Sequence, residues 1–280
     1  MHFAMPEKPA VLLVDNGSLQ PAATLALRRL AAAVSREVGR AVEPVSLLHS
    51  SAIEPGRLGG VAAEIFESAV RRRYALGVRE FVVLPLFFGP SGALSGYMPA
   101  RVEELRAGLP GLQVRVGPPL VDAVEGEGGR AVVAILAAQV QGVIEAQGLK
   151  RPWVVLVDHG SPQRAVGAVR DGLARGLAAK LGGAVEEVVA ASMERREGAE
   201  YDFNEPLVAR ALEKVEARSG VVALLFFAPG RHAGPGGDIA GICAEAERRR
   251  PGLRCCLTPL VGEHEGLVAI LARRLREMGG

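Results

Sequence analysis

Leu156-Val157-Asp158-His159-Gly160-Ser161 decides how the chain is read, because Leu13-Val14-Asp15-Asn16-Gly17-Ser18 stands 143 residues before it. Each hexapeptide closes a short apolar run, Val11 to Val14 and Val154 to Val157, of a length suited to a buried strand. Each precedes a long amphipathic stretch. The chain therefore reads as two copies of one unit. The copies differ at an informative place, with His159 where the first has Asn16. An imidazole binds metal or moves a proton near neutral pH, and a carboxamide does neither comparably well. The working site is expected in the second copy.

Outward from the hexapeptides the register persists. Ala41-Val42-Glu43 matches Ala184-Val185-Glu186, and Phe87-Phe88 matches Phe226-Phe227. Pro110-Gly111-Leu112 matches Pro251-Gly252-Leu253, and Pro119-Leu120-Val121 matches Pro259-Leu260-Val261. Apolar runs and helical periodicity predict strands at Ala10 to Val14, Val42 to Leu48, Glu80 to Phe88 and Leu112 to Val116. Helices are predicted at Pro21 to Val38, Leu58 to Leu76 (Val61, Ile65, Ala69 and Val70 inward), Met98 to Ala107 and Gly128 to Ala146. The second copy repeats the order. Its strands are Trp153 to Val157, Val185 to Ala191, Val221 to Phe227 and Leu253 to Leu257. Its helices are Val166 to Leu181, Glu205 to Arg218, Asp238 to Arg249 and Gly266 to Arg276. Alternating strands and helices imply parallel sheets covered on both faces. The expected fold is α/β, with two tandem doubly wound domains, residues 1–147 and 152–280, and a cleft between them.

Composition narrows the function. A formal charge of +2 lacks the basic excess of a general nucleic-acid binder. Aromatic residues are only 4%, so aliphatic side chains must fill the cores. Cys243, Cys255 and Cys256 have no metal-ligand spacing and read as reduced; the adjacent pair should point to opposite faces of a strand. Met1 to Pro9 has no signal-like apolar core, and no apolar run approaches the roughly 18 residues of a membrane span. A cytoplasmic protein is the expectation. P-loop, dinucleotide-binding and nucleophile-elbow patterns are absent.

Ligands of such sheets sit beyond the carboxyl ends of the strands. His159, Glu194 and His232 each follow a predicted strand of the second copy, so all three fall at one rim. His232 lies in the Gly-rich loop Phe227 to Asp238, and the matching position of the first copy is Ala93. Two imidazoles and a carboxylate suit a divalent transition metal and leave coordination positions open. Glu197 is the substitute for Glu194. Asp158 and Asp238 are candidates to orient the histidines, with helix capping the rival role for Asp238. Arg164, Arg195, Arg196 and Arg231 lie near the rim and suit carboxylates. His264 reads as structural, His49 has no matching partner, and His2 sits in the opening segment.

The His159-Gly160-Ser161 strand end, the Gly230-Arg231-His232 loop and the following Asp238-Ile239 resemble the class II tetrapyrrole chelatases. The nearest branch is the sirohydrochlorin cobaltochelatase and ferrochelatase family in its fused, two-unit form. The resemblance covers nearly the whole chain. It implies insertion of a divalent metal (Co²⁺, Fe²⁺ or Ni²⁺, as substrate) into a tetrapyrrole such as sirohydrochlorin, in cobalamin or siroheme biosynthesis. His159 and His232 carry over as metal ligands, with Glu194 as the acidic partner and Ser161, Arg195 and Arg231 toward the substrate. No organic cofactor, nucleic acid or membrane is implied, and the fused units make a monomer sufficient. The insertion Gly234-Pro235-Gly236-Gly237 departs from the family spacing. Asn16 and Ala93 imply a first unit that does not chelate. The alternative is a non-catalytic relative that only binds metal or tetrapyrrole; a two-lobed solute-binding protein is a third reading.

Overall fold

The computed structural model describes residues 9–216 and 218–279; the opening segment with His2 lies outside them. Two four-stranded parallel sheets form, as the repeat requires. In the first, β1 (Ala10–Asp15), β2 (Val42–Ser46), β3 (Glu80–Pro85) and β4 (Gln113–Val116) run in the order β2-β1-β3-β4. In the second, β5 (Val154–Asp158), β6 (Val188–Ser192), β7 (Ser219–Leu224) and β8 (Arg254–Leu257) run in the order β6-β5-β7-β8. The inner strands β1 and β5 are apolar without alternation because both faces are covered. Every residue of β5 is buried. Val155 and Val157 pack with Val208, Leu212 and Ile239 on one face. Pro44 lies in β2, an edge strand, where its missing N–H costs no ladder bond.

The helices are α1 (Pro21–Val38), α2 (Phe66–Ala75), α3 (Met98–Gly108), α4 (Glu127–Gln147), α5 (Arg164–Leu181), α6 (Val208–Lys214), α7 (Asp238–Arg249) and α8 (Glu265–Glu277). Two are shorter than their sequence patterns suggest. The predicted helix from Leu58 begins only at Phe66, because Gly59 and Gly60 adopt positive φ (73° and 84°). The Arg28 guanidinium then binds the carbonyls of Leu58, Val61 and Ala62, which helical bonding would have used. Val61, expected inside, is 62% exposed. In the second copy, Leu207 bridges to Ser192 and holds that stretch extended until Val208.

The compact units divide elsewhere than at the sequence repeat. One ends at Leu120 and regains the chain from Val268; the other is Val121–Leu267. The boundary expected at 147–152 therefore falls inside the second unit. The cause is the destination of two helices. Helix α4 follows the first sheet in sequence yet packs against α5 and β7. There it buries Val132, Leu136 and Val140, and Gln139 Nε2 donates to the Leu260 carbonyl over 2.9 Å. In the first unit, the α8 end returns to β4 and α1, where Arg115 binds the Met278 carbonyl and Arg276 pairs with Glu37. Among the described residues α4 is the one helix long and apolar enough to cross a membrane by length and composition. Its buried valine and leucine face and its hydrogen-bonded Gln139 give it the character of a core helix.

Candidate metal centre of the second unit

The site grows from the end of β5. Asp158 is the last residue of that strand, and Gly160 turns the chain at φ 95°. A side chain at Gly160 would overlap the Glu194 carbonyl, so glycine is required by both conformation and space. Gly160 N–H donates to Asp158 Oδ1 over 3.1 Å. Two further backbone bonds, Met193 N to Asp158 O and Glu194 N to His159 O, tie the turn to the residues after β6. Glu194 is thereby placed beside His159, with Oε1 3.6 Å from Nε2. Of the two glutamates considered, Glu194 stands next to the imidazole.

The loop after β7 brings in the second imidazole. Its extra glycines close it rather than loosen it. Gly234 and Gly236 take positive φ, and Gly237 packs against the His232 backbone so closely that a Cβ there would meet the His232 carbonyl. Asp238 N binds the Arg231 carbonyl, Ile239 N binds the His232 carbonyl, and Ala233 is buried in the core. The chain returns on itself, and His232 Nδ1 comes within 2.8 Å of Asp238 Oδ2. Asp238 is the first residue of α7 and makes no side-chain cap; the preceding Gly237 holds the cap position. The orienting role therefore takes precedence over capping.

The two rings meet edge to face, with centroids 4.6 Å apart. His159 Nδ1 lies 3.1 Å from the Gly160 carbonyl, which can only accept, so that nitrogen carries the hydrogen. His232 Nδ1 donates to Asp238 by the same logic. Both Nε2 atoms are then left with lone pairs. The His159 lone pair faces a carboxylate oxygen across 3.6 Å, an arrangement favourable only with a cation between them or a proton on the ring. Carboxylate support of a ligating imidazole is a recurrent orienting device in metal sites. Among the described residues no group of three or more His, Cys, Asp and Glu is set as a metal cage. The site is open, and Glu194, 60% exposed in its side chain, has freedom to turn.

Beneath the turn lies a polar network that sequence reading missed. Arg170 of α5 is 1% exposed. It binds Ser192 Oγ, the Phe203 carbonyl (2.9 Å) and Asp171 (2.6 Å), and stands 3.7 Å from Asp158. Ser192 Oγ donates to Asp158 Oδ1 over 2.6 Å. Burial pushes the Asp158 carboxyl upward; Ser192, Arg170 and the Gly160 amide oppose that. Buried Asn204 brackets Ser161, accepting from its N–H at 3.0 Å and donating to its carbonyl at 2.9 Å. The repeat did contain a signal for Arg170: the corresponding residue 143 positions earlier is Leu27. Nothing in the sequence marked Asn204.

The remaining predicted residues divide. Ser161 Oγ accepts from Gln163 N–H, and Ser18 Oγ accepts from Gln20 N–H in the first unit. The serine thus shapes a turn that both units share. Arg195 is engaged by Asp202, Glu205 (3.6 Å) and the Gly198 carbonyl. Arg231 is far freer, with a 77% exposed side chain and Asp238 at 3.6 Å. Arg164 lies over the Phe203 ring at 5.0 Å and Arg196 over Tyr201 at 6.0 Å. His264 Nδ1 accepts from Gly266 N–H, a structural role. All three cysteines are free thiols.

Fold and site together define a duplicated parallel α/β protein with two histidines meeting at one rim of its second unit. The chain belongs to the CbiX family, whose model matches residues 10–124 and again 153–278. Solved structures of similar fold include SirB from Bacillus subtilis with Fe³⁺ (17% identity, TM-score 0.68, 96% of this chain and 95% of that one). The sirohydrochlorin chelatase SirB from Bacillus subtilis subspecies spizizenii in complex with cobalt is another (16%, 0.69, 96% and 94%). A third is CbiX, described as the terminal enzyme for siroheme biosynthesis in denitrifying bacteria (21%, 0.61, 96% and 98%). No curated protein sequence matches the chain.

Proposed function

We propose that the protein inserts a divalent metal, Co²⁺ or Fe²⁺, into a tetrapyrrole of the sirohydrochlorin kind. The observation that carries this reading is the pair of imidazoles whose Nδ1 atoms are both engaged, leaving two Nε2 lone pairs at one rim beside Glu194. Membership of the CbiX family supports it. Insertion exchanges one dication for two pyrrole N–H protons. Metal ligation and proton uptake need separate atoms, because one lone pair cannot do both. His159 and His232 hold the incoming metal through Nε2, and the solvent-exposed Glu194 accepts the two pyrrole protons in turn as general base, passing each to water. Asp238 fixes the His232 ring throughout. The macrocycle's peripheral carboxylates meet Arg231 and the ring-supported Arg164 and Arg196, while Arg195 and Ser161 maintain the loops. The reaction needs no organic cofactor and takes place in the cytoplasm, with a single chain sufficient.

The test is an absorbance assay of sirohydrochlorin with Co²⁺, Fe²⁺ or Ni²⁺, the last two without oxygen, comparing the parent with His159→Ala. Insertion faster than the uncatalysed rate, lost in the variant, is the expected result. Tight tetrapyrrole binding with no acceleration by any metal would establish the non-catalytic relative instead.

A further inference from the structure

We infer that Arg170 is a positioning residue, holding the His159 turn and the Ala199–Asn204 segment in one fixed geometry. This rests on the metal-insertion reading. Arg170 touches both structures through buried atoms. On one side its guanidinium binds Ser192 Oγ, which donates to Asp158 Oδ1, the acceptor for the Gly160 amide beside His159. On the other side it binds the Phe203 carbonyl at 2.9 Å and reaches the Asn204 carbonyl at 3.5 Å. The Asn204 amide then clamps the N–H and C=O of Ser161, two residues after His159. The segment also carries Tyr201 and Phe203, the rings under Arg196 and Arg164. One fork-shaped donor thus fixes the metal-ligand turn and the base of the cationic rim together. A lysine has the charge but not the planar fork needed for both anchors. The first unit carries Leu27 at this place and Asn16, not a histidine, in its turn, so bridge and ligand are missing together.

The experiment compares Arg170→Lys and Arg170→Met with Leu173→Ala, a cavity variant on the same helix whose residue is 0% exposed and outside the network. Three quantities are read below the lowest Tm of the set. These are Co²⁺ affinity and visible spectrum with the metal alone, KM and kcat for insertion, and hydrogen exchange at the Gly160 and Ser161 amides. For Arg170→Lys the expected results are Co²⁺ binding weaker by about ten- to hundred-fold, an altered cobalt spectrum, a raised KM, and faster exchange at both amides. Leu173→Ala should lose Tm while keeping parental Co²⁺ affinity and exchange at the turn. Parental affinity, spectrum and exchange in Arg170→Lys would overturn the inference, as would equal losses in Leu173→Ala. If Arg170→Met fails to fold, the lysine variant still decides. If the parent inserts no metal, the functional reading fails while amide exchange still reports on the bridge.

Discussion

The two units share a sheet order, a glycine turn and a serine turn, yet they spend the same places differently. Asn16, Leu48 and Ala93 of the first unit stand where the second has His159, Glu194 and His232. Below them Leu27 replaces Arg170. The loop that carries His232 in the second unit is, in the first, a π-helical turn at Ala93–Tyr97 leading into α3. What both retain is what the backbone needs: Gly17 and Gly160 at positive φ, each facing a carbonyl that a side chain would strike. Scaffold and chemistry can therefore be separated within one chain, and the scaffold residues are the ones in duplicate.

The sharpest way to break this comparison is to remove the differing side chains. His159→Ala or His232→Ala should each lower kcat/KM for insertion by more than about a hundredfold with little change in Tm. Asn16→Ala should leave turnover unchanged. Asn16→His should add no second equivalent of bound Co²⁺ in a calorimetric titration, because Leu48 and Ala93 supply no further donors. A second equivalent would show that the first unit lacks only one group.

The aspartates below the turns give the next largest contrast. Asp15 has a buried Oδ1 without a hydrogen-bond partner among the described residues, and Leu27 stands where the other unit has Arg170. Burial pushes its carboxyl up to about 6, from 3.8. The folded carboxyl holds its proton more tightly than the unfolded one. The favourable contribution is therefore complete below pH 4 and lost as pH rises through 6. Asp15→Asn should then stabilise the protein at pH 8 by about 2 kcal/mol, with little benefit at pH 4. Thermal melts across that range measure it. Asp158→Asn should gain less at pH 8, although burial raises that carboxyl too, because the charge it removes also compensates the buried Arg170. Equal responses in the two units would sink the contrast.

Smaller effects refine the rim. Asp238→Asn should weaken Co²⁺ binding by about tenfold through loss of the charged partner of His232, measured by titration of the metal alone. Arg231→Ala and Arg196→Ala should raise KM for the tetrapyrrole by roughly two- to five-fold at low salt, and less as salt screens exposed charge. Arg195→Ala, which opens the contacts to Asp202 and Glu205, should instead show first as a lower Tm. A KM effect confined to Arg195 would reverse those assignments.

How far these contrasts were legible varies with the kind of physics involved. The strands and the two-copy arrangement were readable because continuous apolar runs and repeated turn residues are local signals. His159, Glu194 and His232 could be placed at one rim because parallel strands deliver their carboxyl ends to the same side. The start of α2 was misread because Arg28, distant in sequence, takes the carbonyls a helix would use. Asn204 was invisible for the same reason: its partners at Ser161 lie 43 residues away. Arg170 was recoverable in principle, since an arginine in the place of a buried leucine calls for a buried partner. The unit boundary was not, because apolar periodicity says that a helix has a buried face and not which sheet it will cover.

That last point bears on how such a chain can be divided. A stop after residue 147 would not release a self-sufficient half. It would release the first sheet without the α8 residues that complete its unit, and α4 without the sheet on which its valines are buried. The complementary piece would have the opposite deficit. Produced together, the two pieces are matched to reassemble by exchanging these helices; produced singly, each would expose the apolar surface meant for the other.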